Sequence, residues 1–111
     1  MVNVEQAIQI VRDACPERLI RTYFEYKDEY RFVTSGKKFD LDDVVGLAVV
    51  DKNSGTLHFE GATQIYSKFY PLGEEGIKLA KEYDSAENTM QPVDLTDEQW
   101  KEYQEYMSQF R

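Results

Sequence analysis

The chain has 111 residues, 41% of them apolar and 14% aromatic, so it can form one domain with a single core and is too hydrophobic for a disordered protein. Its longest apolar run, residues 44–50, is too short to span a membrane, and its single cysteine, Cys15, excludes an intramolecular disulfide and a cysteine-rich zinc site. The 13 basic and 21 acidic residues give a net charge of −8, which disfavours direct binding to nucleic acid.

The negative charge is concentrated in the C-terminal half. Residues 1–55 carry 8 basic and 10 acidic side chains, a net charge of −2, whereas residues 56–111 carry 5 and 11, a net charge of −6. Such a surface favours encounter with a cationic partner by electrostatic steering. The same acidity is also typical of proteins in which charge serves only solubility.

An amphipathic helix is predicted over residues 4–14. Its apolar residues recur at the spacing of one helix face and extend to Cys15: Val4, Ala7, Ile8 and Val11. Asn3 and Gln6 have the spacing of a capping box, and Pro16 ends the pattern. We expect Cys15 to act as a small buried hydrophobic residue rather than a reactive thiol. The segment lacks the basic and apolar regions of a secretory signal, so we expect a cytoplasmic protein.

Strands are predicted next. Residues 19–26 and 30–35 alternate and are rich in β-branched and aromatic side chains. Residues 44–51 are apolar on both faces, which indicates a central strand, and Ala48 leaves room for a helix on one face. A turn then leads to a return strand, in which we expect Leu57 and Phe59 to point inward and Glu60, like His58, to point outward.

The rest of the chain is predicted to be mainly helical. An aromatic-rich connection precedes a short helix from Glu74, and residues 85–94 are predicted to be a linker or an extended arm. Thr96 begins a last helix whose apolar stripe we expect to pack on the second face of the sheet: Trp100, Tyr103, Met107 and Phe110. This order of predicted helices and strands indicates one α+β domain over residues 1–111. In it the N-terminal helix packs on an antiparallel sheet of about four strands, and further helices lie at the C-terminal end.

No motif of a catalytic, cofactor or metal site is present in the sequence. Asp40, Asp42 and Asp43 are close together, but hydrophobic residues follow where a calcium-binding loop needs oxygen ligands. The one histidine, His58, has no partner motif and is expected to be a surface residue. We therefore expect a protein without catalytic residues, cofactor or metal.

The candidate site is a surface for a protein partner. Two tyrosines precede acidic residues of the two predicted C-terminal helices: Tyr66 and Tyr70, with Glu74, Glu75, Asp97 and Glu98. An aromatic centre with a charged rim is the usual anatomy of a protein interface. The alternative is that both tyrosines pack internally and the acidic residues are only solvated.

A family resemblance rests on three stretches: "VEQAIQIV", "YFEYKDEYRFVTSG" and, above all, "VVDKNSGTLHFEGAT". In these the chain is similar to the immunity protein 35 family of small single-domain proteins, also described as YrhB-like. In the third stretch the matching residues are Asp51, Lys52, Ser54, Gly55, His58, Gly61 and Ala62. The resemblance covers residues 3–72 and does not reach the last helix.

The resemblance implies a bacterial protein that binds and neutralises a co-encoded toxin. An acidic non-enzyme suits stoichiometric binding to a basic toxin domain, without nucleic acid or membrane as a partner. The alternative is a PepSY-like or cystatin-like interaction module for a peptide or protein, since those domains place a helix against a similar sheet. The glutamine–valine–glycine loop of cystatins is not found in the sequence.

Overall fold

The structure, a computed structural model, describes residues 1–41, 46–61 and 64–109, with the backbone alone for residues 64–66. Within these residues it contains four α-helices, a short 3₁₀-helix and five strands. In chain order they are α1 (Val4–Ala14), β1 (Arg18–Glu25), β2 (Glu29–Gly36), β3 (Gly46–Asp51), β4 (Leu57–Glu60), α2 (Gln64–Phe69), the 3₁₀-helix (Tyr70–Leu72), α3 (Glu74–Glu87), β5 (Gln91–Pro92) and α4 (Asp97–Ser108). The predicted α+β class is confirmed. None of the helices in the described ranges is long and apolar enough to cross a membrane.

The described strands form one antiparallel sheet in the order β4-β3-β2-β1-β5. The register between β1 and β2 shifts at Arg21, between the paired residues Ile20 and Thr22. A bulge of this kind re-aims a side chain, and the Arg21 guanidinium reaches the Ser35 hydroxyl, with 2.9 Å between Nε and Oγ.

Helix α1 lies on the first face of the sheet, as predicted. It begins with the predicted capping box, in which the Asn3 side chain accepts from the Gln6 N–H at 2.8 Å and the Gln6 side chain accepts from the Asn3 N–H at 3.0 Å. Its buried residues, Ala7 and Val11, belong to one core cluster with Ala48 of β3, and all three are completely buried. The small side chain at Ala48 therefore receives the helix, which confirms the sequence prediction.

The second face of the sheet is covered by the later helices. Phe24 of β1 is buried with Phe69 of α2 and Tyr83 of α3 in a second apolar cluster. Tyr103 is the buried residue of α4, and its ring centroid lies 5.7 Å from the guanidinium carbon of Arg21. Coverage of both faces explains why β3 is buried on both sides.

The turn between β3 and β4 is held by Asp51. Its carboxylate accepts from the backbone N–H groups of Asn53 at 2.9 Å and Ser54 at 2.8 Å. The hydrogen bonds from Ser54 contribute most to lowering the pKa of Asp51. Gly55 has a φ of 73°, a left-handed conformation that costs glycine little. These contacts explain why the sequence "DKNSG" forms a hairpin.

Two predictions about β4 were wrong. Phe59 was expected to point inward but is 58% exposed, whereas Glu60 was expected to point outward but is only 7% exposed. The reason is that β4 lies at the sheet edge, where α1 does not cover Phe59, while the opposite face beside Glu60 contains the buried guanidinium of Arg31.

The predicted arm at residues 85–94 also needs correction. Helix α3 continues to Glu87, and the extended part is limited to the two residues of β5, Gln91–Pro92, which pair with Thr22 and Tyr23 of β1. The sheet therefore has a fifth strand. Two of the predicted aspartates, Asp42 and Asp43, lie outside the described residues, as does Phe110 of the predicted apolar stripe.

Candidate functional site

The strongest candidate for a binding site is an apolar cleft of about 400 Å³ between α2, the 3₁₀-helix and α3, which we call the α2–α3 cleft. Its volume lies within the range of pockets that accept small ligands or single side chains. Its lining is mostly apolar, with one lysine and one aspartate: Phe69, Tyr70, Gly73, Gly76, Ile77, Ala80, Lys81 and Asp84.

The close approach of α3 to the end of α2 depends on Gly76. A Cβ atom at this position would lie 1.8 Å from the carbonyl oxygen of Phe69, a distance that no backbone tolerates. The preceding turn depends on Gly73, whose φ of 63° lies in the left-handed region. These two glycines set the separation of the helices and hence the shape of the cleft.

Large apolar side chains at the cleft are exposed to solvent. Tyr70 is 78% exposed and Ile77 is 60% exposed, and the neighbouring Leu72 is 50% exposed. Clustered exposed apolar side chains mark interaction surfaces more often than scattered ones do. The alternative that Tyr70 packs internally is therefore wrong.

The predicted acidic rim divides into two parts. Glu74 and Glu75 are exposed in the first turn of α3, directly after Gly73 of the cleft lining. Neither of these two glutamates is itself a lining residue. Asp97 and Glu98 are exposed in the first turn of α4, a helix that contributes no residue to the cleft lining. Glu98 instead lines a separate shallow depression with other residues of α4.

The other predicted aromatic residue, Tyr66, has a side chain outside the described part of the structure. The structure therefore places Tyr70 in the cleft lining and Glu74 and Glu75 immediately after Gly73 of that lining, and it places the α4 pair on a helix that contributes no lining residue.

The floor of the cleft joins the second apolar cluster. Phe69 lines the cleft and is 8% exposed, and its ring centroid lies 6.3 Å from that of Tyr83. Tyr83 also makes an edge-on contact with Phe24 at 5.5 Å between centroids. Burial raises the pKa of Tyr83 far above its usual range, so its hydroxyl stays neutral. The floor of the exposed cleft is therefore buried and packed against the sheet.

A buried ion pair lies beneath the same helices. Arg31 of β2 is completely buried, and its Nη1 donates to Oε2 of Glu60 at 2.6 Å. Lys68 of α2 also donates to Glu60, so this carboxylate joins α2 to the edge of the sheet. The guanidinium carbon of Arg31 is 5.1 Å from the centroid of the Tyr83 ring. Glu29 provides a second carboxylate, 3.3 Å from Nη2 of Arg31.

The pKa of Glu60 shows that the charged partners outweigh burial. Burial alone raises this pKa, but hydrogen bonds from Arg31, Lys68 and His58 lower it to about 2. The sequence gives His58 no partner motif, but in the structure its Nε2 lies 3.0 Å from Oε1 of Glu60. Within the described residues no group of three potential metal ligands is found.

Sequence reasoning missed most of the cleft lining and the ion pair. A signal for the cleft was present in Gly76, because an isolated glycine inside a helical pattern often marks a close packing contact. No local signal could have identified Arg31 and Glu60 as partners, since they lie on two strands that are not neighbours in the sheet.

Comparison with models of protein families, with curated proteins and with solved structures finds no match to this chain. The features of the chain that bear on its function are therefore the cleft, the charge distribution and the sequence resemblance.

Proposed function

We propose that this protein is a non-enzymatic binding protein whose α2–α3 cleft binds a basic protein, and that this partner is a bacterial toxin which it neutralises by direct contact. The observation that carries the proposal is the cleft itself, where Tyr70 and Ile77 are exposed beside the acidic first turn of α3. The toxin is the part of the proposal that comes from the resemblance to the immunity protein 35 family.

The cleft supports the proposal through anchoring. Its volume of about 400 Å³ fits one or two large side chains, and its floor is fixed by the packing of Phe69. Binding energy in protein interfaces is concentrated in a few apolar anchors that fill such preformed sites. We expect an aromatic or aliphatic side chain of the partner to enter beside Ile77.

Charge supports the proposal through the rate of encounter. Glu74 and Glu75 lie next to the cleft, and the C-terminal half of the chain has a net charge of −6. Complementary charges raise the association rate more than the affinity. A basic contact surface on the partner is therefore the expected match.

A peptide-binding module of the PepSY-like or cystatin-like kind is the second candidate. The observation that favours it is the packing of α1 across one face of the antiparallel sheet. On this alternative a short segment of the partner binds as well as the whole protein does, because a peptide module needs no folded partner surface.

The test starts with capture of the partner by the immobilised chain from the source cell, followed by binding kinetics of variants. Ile77→Lys places a charge in the cleft, and Phe59→Lys is the matched control, since these residues are 60% and 58% exposed. We expect Ile77→Lys to weaken binding by about 100-fold or more, as is typical for a central anchor, and Phe59→Lys to bind as the wild type does. Equal binding by Ile77→Lys and the wild type would rule out the cleft.

The electrostatic part is tested by charge reversal of two pairs. Reversal of Glu74 and Glu75 should slow association by about tenfold at low salt. It should also reduce the dependence of the rate on salt over the range in which the Debye length falls from about 10 Å to about 3 Å. Reversal of Asp97 and Glu98 should have a smaller effect, because that pair is on α4, which contributes no residue to the cleft lining, whereas Glu74 and Glu75 directly follow Gly73 of the lining. Unchanged rates and an unchanged salt dependence for both double variants contradict the proposed steering.

The absence of catalysis is tested with His58→Ala and Cys15→Ser. Protection against the toxin should be retained in both variants, since a protein that acts by binding needs neither an imidazole nor a thiol. Loss of protection by either variant with unchanged stability would contradict the proposal that the protein acts without catalytic residues.

A further inference from the structure

The two edges of the sheet differ in how they are protected. At one edge, β5 has two residues and ends in Pro92, and a short strand with proline discourages further pairing. At the other edge, β4 has four residues in regular register with β3, without lysine, proline or a bulge. Among the described strands β3 is the only neighbour of β4. Its outer side therefore offers backbone groups to another strand.

The exposed side chain of Phe59 lies on this unprotected strand. Phe59 is opposite Ala48 of β3, which is completely buried beneath α1, yet Phe59 itself is 58% exposed. An apolar side chain on an unpaired edge favours contact with a second strand.

We propose that β4 pairs antiparallel with β4 of a second copy of this chain, about a two-fold axis that passes at Phe59. In this register the two Phe59 side chains are neighbours on one face of the sheet. On the other face His58 lies opposite Glu60, whose buried carboxylate is already bound within its own chain, so the Phe59 pair carries the contact. Aromatic pairs are among the cross-strand contacts that stabilise antiparallel sheets. The strand is thus complementary to itself.

The charge of the molecule does not oppose this contact locally. Glu60 is the acidic residue of β4, and Arg31 and Lys68 both form ion pairs with it. The net charge of −8 arises over the whole chain, so two copies repel at long range while their β4 edges meet without an unpaired acid. Salt should therefore strengthen this dimer, in contrast to the proposed binding of a basic partner.

A dimer of two copies is favoured over an open-ended assembly because the two-fold pairing leaves no β4 edge free for a third copy. A two-fold contact uses the β4 edge of both copies, and the combined sheet then ends at two β5 edges that contain Pro92. With the axis at Phe59, only residues 58–60 of each β4 strand lie opposite one another, well below the size of a standard stable interface. We therefore expect a dimer in the micromolar range or weaker.

The first test is sedimentation velocity of the purified chain from low micromolar concentration to about 500 µM, the range that suits a small interface. The average mass should rise from the monomer value of 13.0 kDa toward twice that value, and the rise should be larger at high salt. Phe59→Lys should remain monomeric, whereas Ile77→Lys, with similar exposure on α3, should dimerise as the wild type does. A wild-type chain that is monomeric throughout, or an equal loss of dimer in both variants, overturns the proposal.

The second test fixes the register by disulfide trapping in a Cys15→Ser background. A two-fold axis at Phe59 places the two copies of that residue directly opposite, at about 4.5–5.5 Å between Cα atoms, within the range for a disulfide. The two copies of His58 lie one residue on either side of the axis and are therefore displaced from each other by two residues, a diagonal separation beyond that range. Mild oxidation should therefore cross-link Phe59→Cys and leave His58→Cys mostly monomeric.

Equal cross-linking of the two cysteine variants, or none in Phe59→Cys, contradicts this register. Because both cysteine positions are exposed, far-ultraviolet circular dichroism should show native folding in each variant. The two variants distinguish the dimer from the proposed function. Phe59→Lys is expected to abolish dimerisation and to retain binding to the partner. Ile77→Lys is expected to retain dimerisation and to weaken binding to the partner.

Discussion

Removal of the Glu60 charge is the perturbation whose cost the structure defines best. In Glu60→Gln, the completely buried Arg31 loses the carboxylate that accepts its hydrogen bond at 2.6 Å. The remaining carboxylate, Glu29, lies 3.3 Å from Arg31 and is partly exposed. Breaking a buried ion pair by removing one partner costs about 3–5 kcal/mol. Because Glu29 remains, we expect about 3 kcal/mol.

The pKa of Glu60 gives a second estimate of the same quantity. Its shift from 4.5 to about 2 corresponds to about 3 kcal/mol of stabilisation at neutral pH. A carboxyl group with a lowered pKa stabilises the fold fully above its unfolded pKa, and this contribution is lost as the pH falls through the folded pKa. The difference in stability between the wild type and Glu60→Gln should therefore be constant above pH 4.5 and shrink between pH 4.5 and about 2.

The assay is urea unfolding followed by far-ultraviolet circular dichroism at several pH values. Glu75→Gln is the matched control, since Glu75 is exposed in the first turn of α3 and should change stability by less than about 0.5 kcal/mol. If Glu60→Gln is as stable as the wild type at neutral pH, or if its deficit does not change with acid, the Glu60 carboxylate does not stabilise the buried Arg31.

Three further changes test the packing. Gly76→Ala should destabilise the fold by about 2 kcal/mol or more in urea unfolding, because its Cβ would collide with the backbone oxygen of Phe69, and a neutral effect would mean that α3 is not held there. Ala48→Leu should cost roughly 1–3 kcal/mol by overpacking beneath α1, and an unchanged unfolding midpoint would show an open face. Tyr103→Ala should release α4 from Arg21 and shift the fluorescence of the one tryptophan of the chain, so an unchanged spectrum would contradict this docking.

The sequence was sufficient where structure depends on residues close in the chain. The capping residues Asn3 and Thr96 fixed the starts of α1 and α4, since a cap acts on a backbone group three residues away. The apolar character of both faces placed β3 inside the sheet, because only a covered strand can carry such a pattern. The sequence also predicted that Tyr70 and Glu74 lie close together, because they are four positions apart in the chain.

Tertiary structure decided what depends on distant parts of the chain. Alternation in β4 showed that Phe59 and Glu60 lie on opposite faces, but not which face is covered. That outcome depends on Arg31, on Lys68 and on the position of β4 at the sheet edge. The α2–α3 cleft likewise exists only because two helices meet at Gly76. Periodicity reports the direction of a side chain along its own element, and only the packing of the elements determines what that side chain meets.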